Sequence, residues 1–468
     1  MAERITSNER EVQWSDLPSP PVEKIYGFLS STDQVNMSLV CRKWSEGYGS
    51  PAVWKTFRFV LRESQLSMDT CPVMKFVHKY SSMFQHVEIE YIHTEENHLI
   101  CTWCKHLIAF LHILSSKLQL ISVKFRGFCK FFHRIDTATF NDICRGIDIF
   151  LGSQHHLKRV EFHEPFFGYE EGIGILKSLT ESNRESLTHL VLHGLVLPLY
   201  EEKESNVAKI LSIVLGLPSL TTLEIDYSLI VEYMFASQSA DVKFLKICET
   251  RVISNIILHY DDEFIDLEYF RGLTSIDWRL LKELYPNLQV ECNFTITYPT
   301  WQEVEFLIVP NMPITQLNFT YEYELDLSDD ANYYIDIDGL LNHFLACKTN
   351  DHLASLHLTW TKPVQVSTLI PFLLACSKLK VLQLFLVHPA NGTILLMKSW
   401  LKNRPESLKK VFIEISDIKN DDDYTILMNF TTKSAILKRF CPEYVHRLEL
   451  MGLNVKVDLY VEPIFLDR

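Results

Sequence analysis

One phrase constrains this 468-residue chain more than any other feature: an apolar residue, a second three positions later, a third two beyond that. Written L-x-x-L-x-L, it stands at FQHVEI (84–89), LQLISV (118–123), LKRVEF (157–162), LTHLVL (187–192), LTTLEI (220–225) and VKFLKI (242–247). It returns at YPNLQV (285–290), ITQLNF (314–319), LASLHL (353–358), LKVLQL (379–384), LKKVFI (408–413) and VHRLEL (445–450). The last three residues of each phrase point inside, outside, inside, which is the pleat of a strand, and the first anchor caps the layer below. Segments of helical period separate the phrases, such as ATFNDICRGIDIFLG (138–152) and SNVAKILSIVLGLPS (205–219). Neither element can bury its apolar face alone. The units are therefore expected to stack into an α/β repeat, a curved solenoid of irregular repeats with a parallel sheet on its concave face. The alternative, a doubly wound α/β enzyme, needs Gly-rich turns after its strands to approach a phosphate. With 15 glycines and no such turn, the chain does not supply them.

A different unit precedes the repeats: LPSPPVEKIYGFLSSTDQVNMSLVCRKW (17–44). Leu17-Pro18 makes an extended entry, and Pro20 and Pro21 suit the first turn of a helix, where a missing N–H is no loss. Val22, Ile25, Phe28 and Leu29 follow at helical spacing. Ser31-Thr32-Asp33 restarts the chain with a cap-like cluster; Met37, Val40, Cys41 and Trp44 form a second apolar stripe, and Pro51 precedes Trp54. A stretch this short has more apolar surface than it can bury internally, so a partner or the first repeat must cover the remainder.

The LP entry, the Ile/Phe-Leu face, the Asp-led second helix, VCRKW and PAVW together resemble an F-box over about 45 residues. With the repeats, the chain resembles an F-box protein of the leucine-rich-repeat type: a small all-α F-box at 12–60 after a tail at 1–11, then a solenoid over 61–468. The resemblance implies a non-catalytic substrate receptor of a Skp–cullin–F-box ubiquitin ligase. The F-box would hold a Skp-type adaptor and, through it, a cullin–RING ligase, while the repeats hold a protein to be ubiquitinated. Carried onto this sequence, adaptor contact falls on Leu17, Pro18, Val22, Ile25, Phe28 and Leu29, with Val40, Cys41, Trp44 and Trp54 partly intramolecular. A non-degradative scaffold, whose N-terminal helices merely cap the solenoid, is the rival reading.

The repeat phrase also names the side chains that face outward from each strand. Among these Glu88, Glu90, Glu161, Glu224, Asp226, Glu291, Glu414 and Glu449 are acidic, whereas Lys124 and Lys246 are basic and His163, His193 and His357 are histidines. The outward face is thus expected to take a basic protein segment through Glu88, Glu161, His163, His193, Glu224, Asp226 and Glu414.

Other signals carry less. Cys101-x-x-Cys104 with His98 and His106 lacks a second ligand pair, so no metal is expected, and the cysteines read as buried helix positions between Leu99, Trp103 and Leu107. RGFCKFFHR (126–134) interleaves basic and aromatic residues but reads as a strand-to-helix loop. In YYIDIDGLL (333–341), placing Gly339 at the sixth position of a calcium loop puts Tyr334 and Leu345 where carboxylates are required. KNDDDYT (419–425) reads as a solvent-facing acidic loop, and LNVKVDLYVEP (453–463) alternates like a final strand. No G-x-x-x-x-G-K, G-x-S-x-G or H-E-x-x-H is present, and neither an enzyme nor a cofactor is expected. A formal charge of −14 argues against nucleic acid as a partner. Eleven irregularly spaced cysteines behind a polar N-terminus point to reduced thiols and to the cytoplasm or nucleus. The apolar run 368–388 is broken by Ser377, Lys378 and Lys380, so no membrane span is expected there.

Overall fold

Prolines open the first helix, as their fixed φ allows. In the computed structural model, Pro18 is extended and Pro20 and Pro21 occupy the first turn of α1 (Ser19–Tyr26). The structure describes residues 14–68, 70–92, 94, 96–117, 119–196, 210, 213–214, 216–230, 252–261, 273–297, 300–321, 335–364, 366–387, 390–416 and 442–460. Helix α2 (Ser31–Ser38) starts where Ser30 Oγ accepts the Asp33 N–H at 3.2 Å. Two shorter helices follow, α3 (Arg42–Tyr48) and α4 (Pro51–Trp54). Ser50 Oγ accepts the Ala52 N–H at the head of α4 and donates to Glu23 on α1, tying the first and last of these helices together.

These helices belong to the first of two compact units, which ends at Leu187; the second begins at Thr188. In the first, the order is β1 (Thr56–Phe59), α5 (Glu63–Leu66), α6 (Pro72–Tyr80), β2 (His86–Glu90), α7 (Asn97–Lys117) and β3 (Ser122–Arg126). After it come α8 (Cys129–Phe132), α9 (Thr137–Gly152), β4 (Arg159–His163) and α10 (Tyr169–Ser182). The four strands pair in parallel in chain order. Their inward residues, Val87, Ile89, Val123, Phe125, Val160 and Phe162, are buried against Trp103, Leu107 and Phe110 of α7 and Ile147 and Phe150 of α9. Helix α7 has the length and hydropathy of a membrane span, yet Trp103, Leu107, Phe110, Leu111 and Leu114 are core residues.

The second unit continues with β5 (His189–His193), β6 (Thr222–Asp226), β7 (Asn255–Asp261), α11 (Ser275–Leu284), β8 (Gln289–Ile296), α12 (Trp301–Leu307) and β9 (Ile314–Tyr321). It closes with α13 (Ile337–Ala346), β10 (Ser355–Pro363), α14 (Leu369–Ala375), β11 (Val381–Val387), α15 (Ala390–Lys402), β12 (Lys410–Ser416) and β13 (Asn454–Tyr460). Its nine described strands are again parallel and in chain order. The strand–helix repeat read from the sequence is therefore the fold.

Buried amides join successive repeats. Gln154 Oε1 accepts the Leu120 N–H at 2.8 Å, and Asn183 Oδ1 accepts the Leu157 N–H at 2.9 Å, each reaching from the end of a helix to the strand entry one repeat earlier. Both residues are buried, and a backbone N–H left without a partner there would carry a desolvation cost.

Several expectations are corrected. VHRLEL is not a strand: residues 442–450 are helical, and the last described strand is β13, within the alternating stretch that begins at Leu453. Two strands were not anticipated, although both obey the repeat phrase. β7 follows Ile253-x-x-Ile256-x-Leu258, and β1 follows Trp54-x-x-Phe57-x-Phe59. Strand β1 lies inside the stretch assigned to the F-box. Arg126–Arg134 is not a plain loop, since Cys129–Phe132 is helical with Phe128 and Phe131 buried. Cys104 is buried as expected, but Cys101 on the same helix is exposed. Asp336 caps α13, accepting the Gly339 N–H at 2.7 Å. VKFLKI, KNDDDYT and most of 205–219 lie outside the described residues.

Candidate docking surfaces

The four N-terminal helices close over a very small core. Val22, Tyr26 and Met37 are buried, with Leu17, Ile25, Leu29, Trp44, Tyr48 and Val53 packed partly against them. Tyr26 donates its hydroxyl to the Trp44 carbonyl at 2.7 Å, and burial pushes the phenol up to about 12, with Tyr48 and Cys41 adding to it. Gln34 Nε2 donates to the Tyr26 carbonyl at 2.9 Å, holding α2 against α1. Trp44 is half-buried and donates its indole N–H to the Trp14 carbonyl at 3.1 Å.

What the helices leave outside is more telling. Phe28 is 81% exposed, Leu39 78% and Val40 70%, and Trp14 and Val35 are exposed as well. Phe28 follows the end of α1, while Leu39 and Val40 follow the end of α2. Large apolar side chains at these exposures on so small a unit make it a candidate docking surface.

The outward face of the first unit's strands is a ladder of opposite charges. Arg58, Glu88, Lys124 and Glu161 stand in register across β1 to β4. Glu88 lies 3.8 Å from Arg58 and 3.4 Å from Arg126, and Glu90 pairs with Arg58. Glu161 is bound by Lys124, Arg159 and His163, its side chain only 8% exposed. Burial alone would raise the Glu161 carboxyl, but the hydrogen bonds from His163, Lys124 and Arg159 outweigh it and hold the group far below the usual carboxylate range.

The second unit's strand face differs. Strands β5 to β9 carry no lysine or arginine. His259 Nε2 lies 2.7 Å from Glu224, His193 Nε2 lies 3.9 Å from Asp226, and the two imidazoles stack at 4.0 Å over β6. Asp226 also accepts the Gly194 N–H at 2.9 Å. Burial, and then the neighbouring Glu224, raises the Glu291 carboxyl. Farther along, rings replace charges. His357 stacks on Phe385 at 4.9 Å, Phe385 meets Phe412 at 5.5 Å, and Lys456 Nζ lies 5.0 Å over the Phe412 ring.

Residues 14–46 match the F-box domain. An F-box sequence at residues 14–46 thus precedes the strand–helix repeats. The chain is similar to the F-box/LRR-repeat protein 21 of Bos taurus, with 30% identity over 83 residues, and to that of Mus musculus, with 29% over 83 residues. Each alignment covers 17% of this chain and 19% of the relative, so the chain spans about a fifth of the length of the curated relatives it matches. Among solved structures, the leucine-rich repeat-containing protein LegL7 of Legionella pneumophila is similar at a TM-score of 0.36 and 13% identity, over 80% of this chain and 90% of that one.

Within the F-box, the residues expected at the adaptor divide into three groups. Pro18, Phe28 and Val40 are exposed; Leu17, Ile25, Leu29, Cys41 and Trp44 are half-buried. Val22 is a core residue, excluded from any docking surface because it fills the gap beneath Gly47 of α3. Trp54 is likewise buried, enclosed by Tyr48, Phe76 and Tyr80. The stripe Met37 to Trp44 is not one helix face, because α2 ends at Ser38 and α3 begins at Arg42. That break turns Leu39 and Val40 out to solvent. Val35 on α2 and Leu39 just past its end, both exposed, were missed.

On the strand face, Glu161 and His163 meet in the first unit, with Glu88 two strands away. His193, Glu224 and Asp226 gather in the second, together with His259, which was missed with its strand. Glu414 stands apart on β12, in register with Phe385. Glu449 lies on the helix 442–450 and faces from no strand.

Proposed function

We propose that this F-box protein is the substrate-recognition subunit of a Skp–cullin–F-box ubiquitin ligase. The F-box docks a Skp-type adaptor, the adaptor brings a cullin–RING ligase, and the repeats hold a protein target for ubiquitination and degradation. The chain does no chemistry itself; it positions the target for a conjugating enzyme in the cytoplasm or nucleus. The carrying observation is the set Phe28, Leu39 and Val40, apolar and exposed on a helical unit of F-box sequence. A cap for the solenoid needs Trp54 and Tyr48 buried, as they are in part or whole, but does not account for large apolar side chains left exposed. The carboxylates of β6 to β8 favour a basic target.

The test is affinity purification of the full chain beside a Phe28→Asp, Leu39→Asp variant, with the bound proteins identified by mass spectrometry. Both positions are in water, so charge there should leave the fold intact while lowering adaptor recovery tenfold or more. Ile25 and Leu29 are poorer probes because they pack on the F-box core. Recovery of neither adaptor nor cullin with the unaltered chain would refute the reading.

A further inference from the structure

The outward positions of β5 to β9 are polar or charged apart from Val191 and Ile257, as expected of a solvated strand face. At β10 to β12 the pattern changes to a row of rings, His357, Phe385 and Phe412, half-buried and in contact across three neighbouring strands. Phenyl groups contribute nothing to the core from that side of the sheet, and surface rings in a row make a ready anchor for a partner side chain. Burial lowers the His357 imidazole, so near neutral pH it extends the row as a ring and not as a charge.

We infer that this ring row is the anchor of the substrate site, taking a large apolar or aromatic side chain of a basic segment laid across the strands toward β6. The inference rests on the substrate-receptor reading. Charge sets both the partner and its direction. At the far side of the rings, on β12 and β13, Lys410 and Lys456 offset the carboxylate of Glu414, so a basic segment finds no net attraction there. In the other direction β9 to β5 offer Glu291, Asp261, Asp226 and Glu224 and no lysine or arginine. Glu291 on β8 is three strands from Phe385 on β11, about 14 Å at the usual strand spacing, which about four residues of extended chain cross. Glu224 on β6 is five strands away, about 24 Å or about seven residues. The preferred segment therefore carries its lysines or arginines about four to seven positions from its apolar anchor. Acidic segments are disfavoured by the same carboxylates, and the charge ladder of the first unit offers neither sign in excess of about one charge.

A library of random 12-residue peptides displayed on phage, panned over the purified full chain, tests this directly. The expected enrichment is an aromatic or large apolar residue with basic residues four to seven positions away. A fluorescein-labelled peptide of that pattern should bind the Phe385→Ser, Phe412→Ser variant about tenfold more weakly or worse. It should bind a Glu224→Gln, Asp226→Asn, Glu291→Gln variant several-fold more weakly, with a shallower salt dependence. The second variant changes only charge and so keeps the test sound if the first melts early. Enrichment of acidic peptides, of no common pattern, or of peptides indifferent to the Phe385 and Phe412 changes overturns the inference. Adaptor recovery by the same variants is read separately. Its retention with lost peptide binding supports the inference, and its absence from the unaltered chain condemns the receptor reading while leaving the peptide result intact.

Discussion

Glu161 shows what a single position can and cannot reveal. Alternation along LKRVEF puts it on the outward side, and there it lies, but with Lys124, Arg159 and His163 closed around it. The enclosing Lys124 comes from the preceding repeat, and such cross-strand partners follow from register, which one strand's sequence does not hold. Replacing the carboxylate, as in Glu161→Gln, leaves three cationic or ionisable groups facing one another. The expected cost at pH 7 is about 1–3 kcal/mol. The carboxyl's folded value is depressed, so its stabilisation is complete above the unfolded value near 4.3 and is lost as pH falls toward the folded one. Urea denaturation of the two proteins should therefore give curves that differ from pH 8 to 5 and draw together below about pH 4. A gap that stays constant down to pH 3 would show that the ion cluster is not its source. Asn183 and Gln154 were illegible for a related reason: their partners, Leu157 N–H and Leu120 N–H, belong to the repeat before.

Elements were more legible than their ends. The buried first anchors Phe84, Leu157, Leu187, Leu220, Leu353, Leu379 and Leu408 each precede a strand, because the phrase encodes a layer and not merely an alternation. The same spacing misled at 445–450, where Val445 and Leu448 share one side of a helix while Leu450, 75% exposed, lies on the other. In the true last repeat Gly452, at φ 78°, stands where an apolar anchor would, with Val455 and Val457 following at the phrase's spacing. Within the F-box, the crossing of α3 over α1 depends on Gly47. A Cβ there would lie 2.8 Å from Val22 Cγ1 and 3.4 Å from Tyr26 Cε2, both on core residues. Alanine would recover up to about 1 kcal/mol of helix propensity against that clash, which blurs the outcome. Valine recovers less and adds two methyl groups, so Gly47→Val should destabilise the F-box by about 1–3 kcal/mol. Circular dichroism melting of the full chain, followed with adaptor recovery, checks it. Unchanged melting and recovery would mean the two helices can part without loss.

At the scale of the whole molecule, a repeat protein is held by nearest-neighbour interfaces, and its terminal unit needs something to cover the exposed end. Here the F-box and the first repeat share that task through rings. Tyr48 meets Trp54 at 4.9 Å, Trp54 meets Phe76 of α6 at 4.5 Å and Tyr80 at 5.9 Å, and Phe76 stacks on Phe57 of β1 at 5.7 Å. Trp54 is at once the last residue of α4 and the first anchor of the first strand phrase, so no boundary near residue 60 separates two cores. The F-box should then draw part of its stability from α6, which lies outside the F-box sequence match. In the full chain, Phe76→Ala with Tyr80→Ala should loosen α3 and α4 by about 2 kcal/mol, less than fully buried rings would cost, or roughly thirtyfold in amide exchange. Adaptor affinity should fall with it, although neither ring is among the exposed side chains of the docking surface. Hydrogen exchange by mass spectrometry resolves the two possibilities. Faster exchange in peptides spanning residues 42–54 would show that the ligase-facing unit is braced by the repeat behind it. Exchange there at the unaltered rate, with loosening confined to α6, would make the F-box an independent module despite the shared tryptophan.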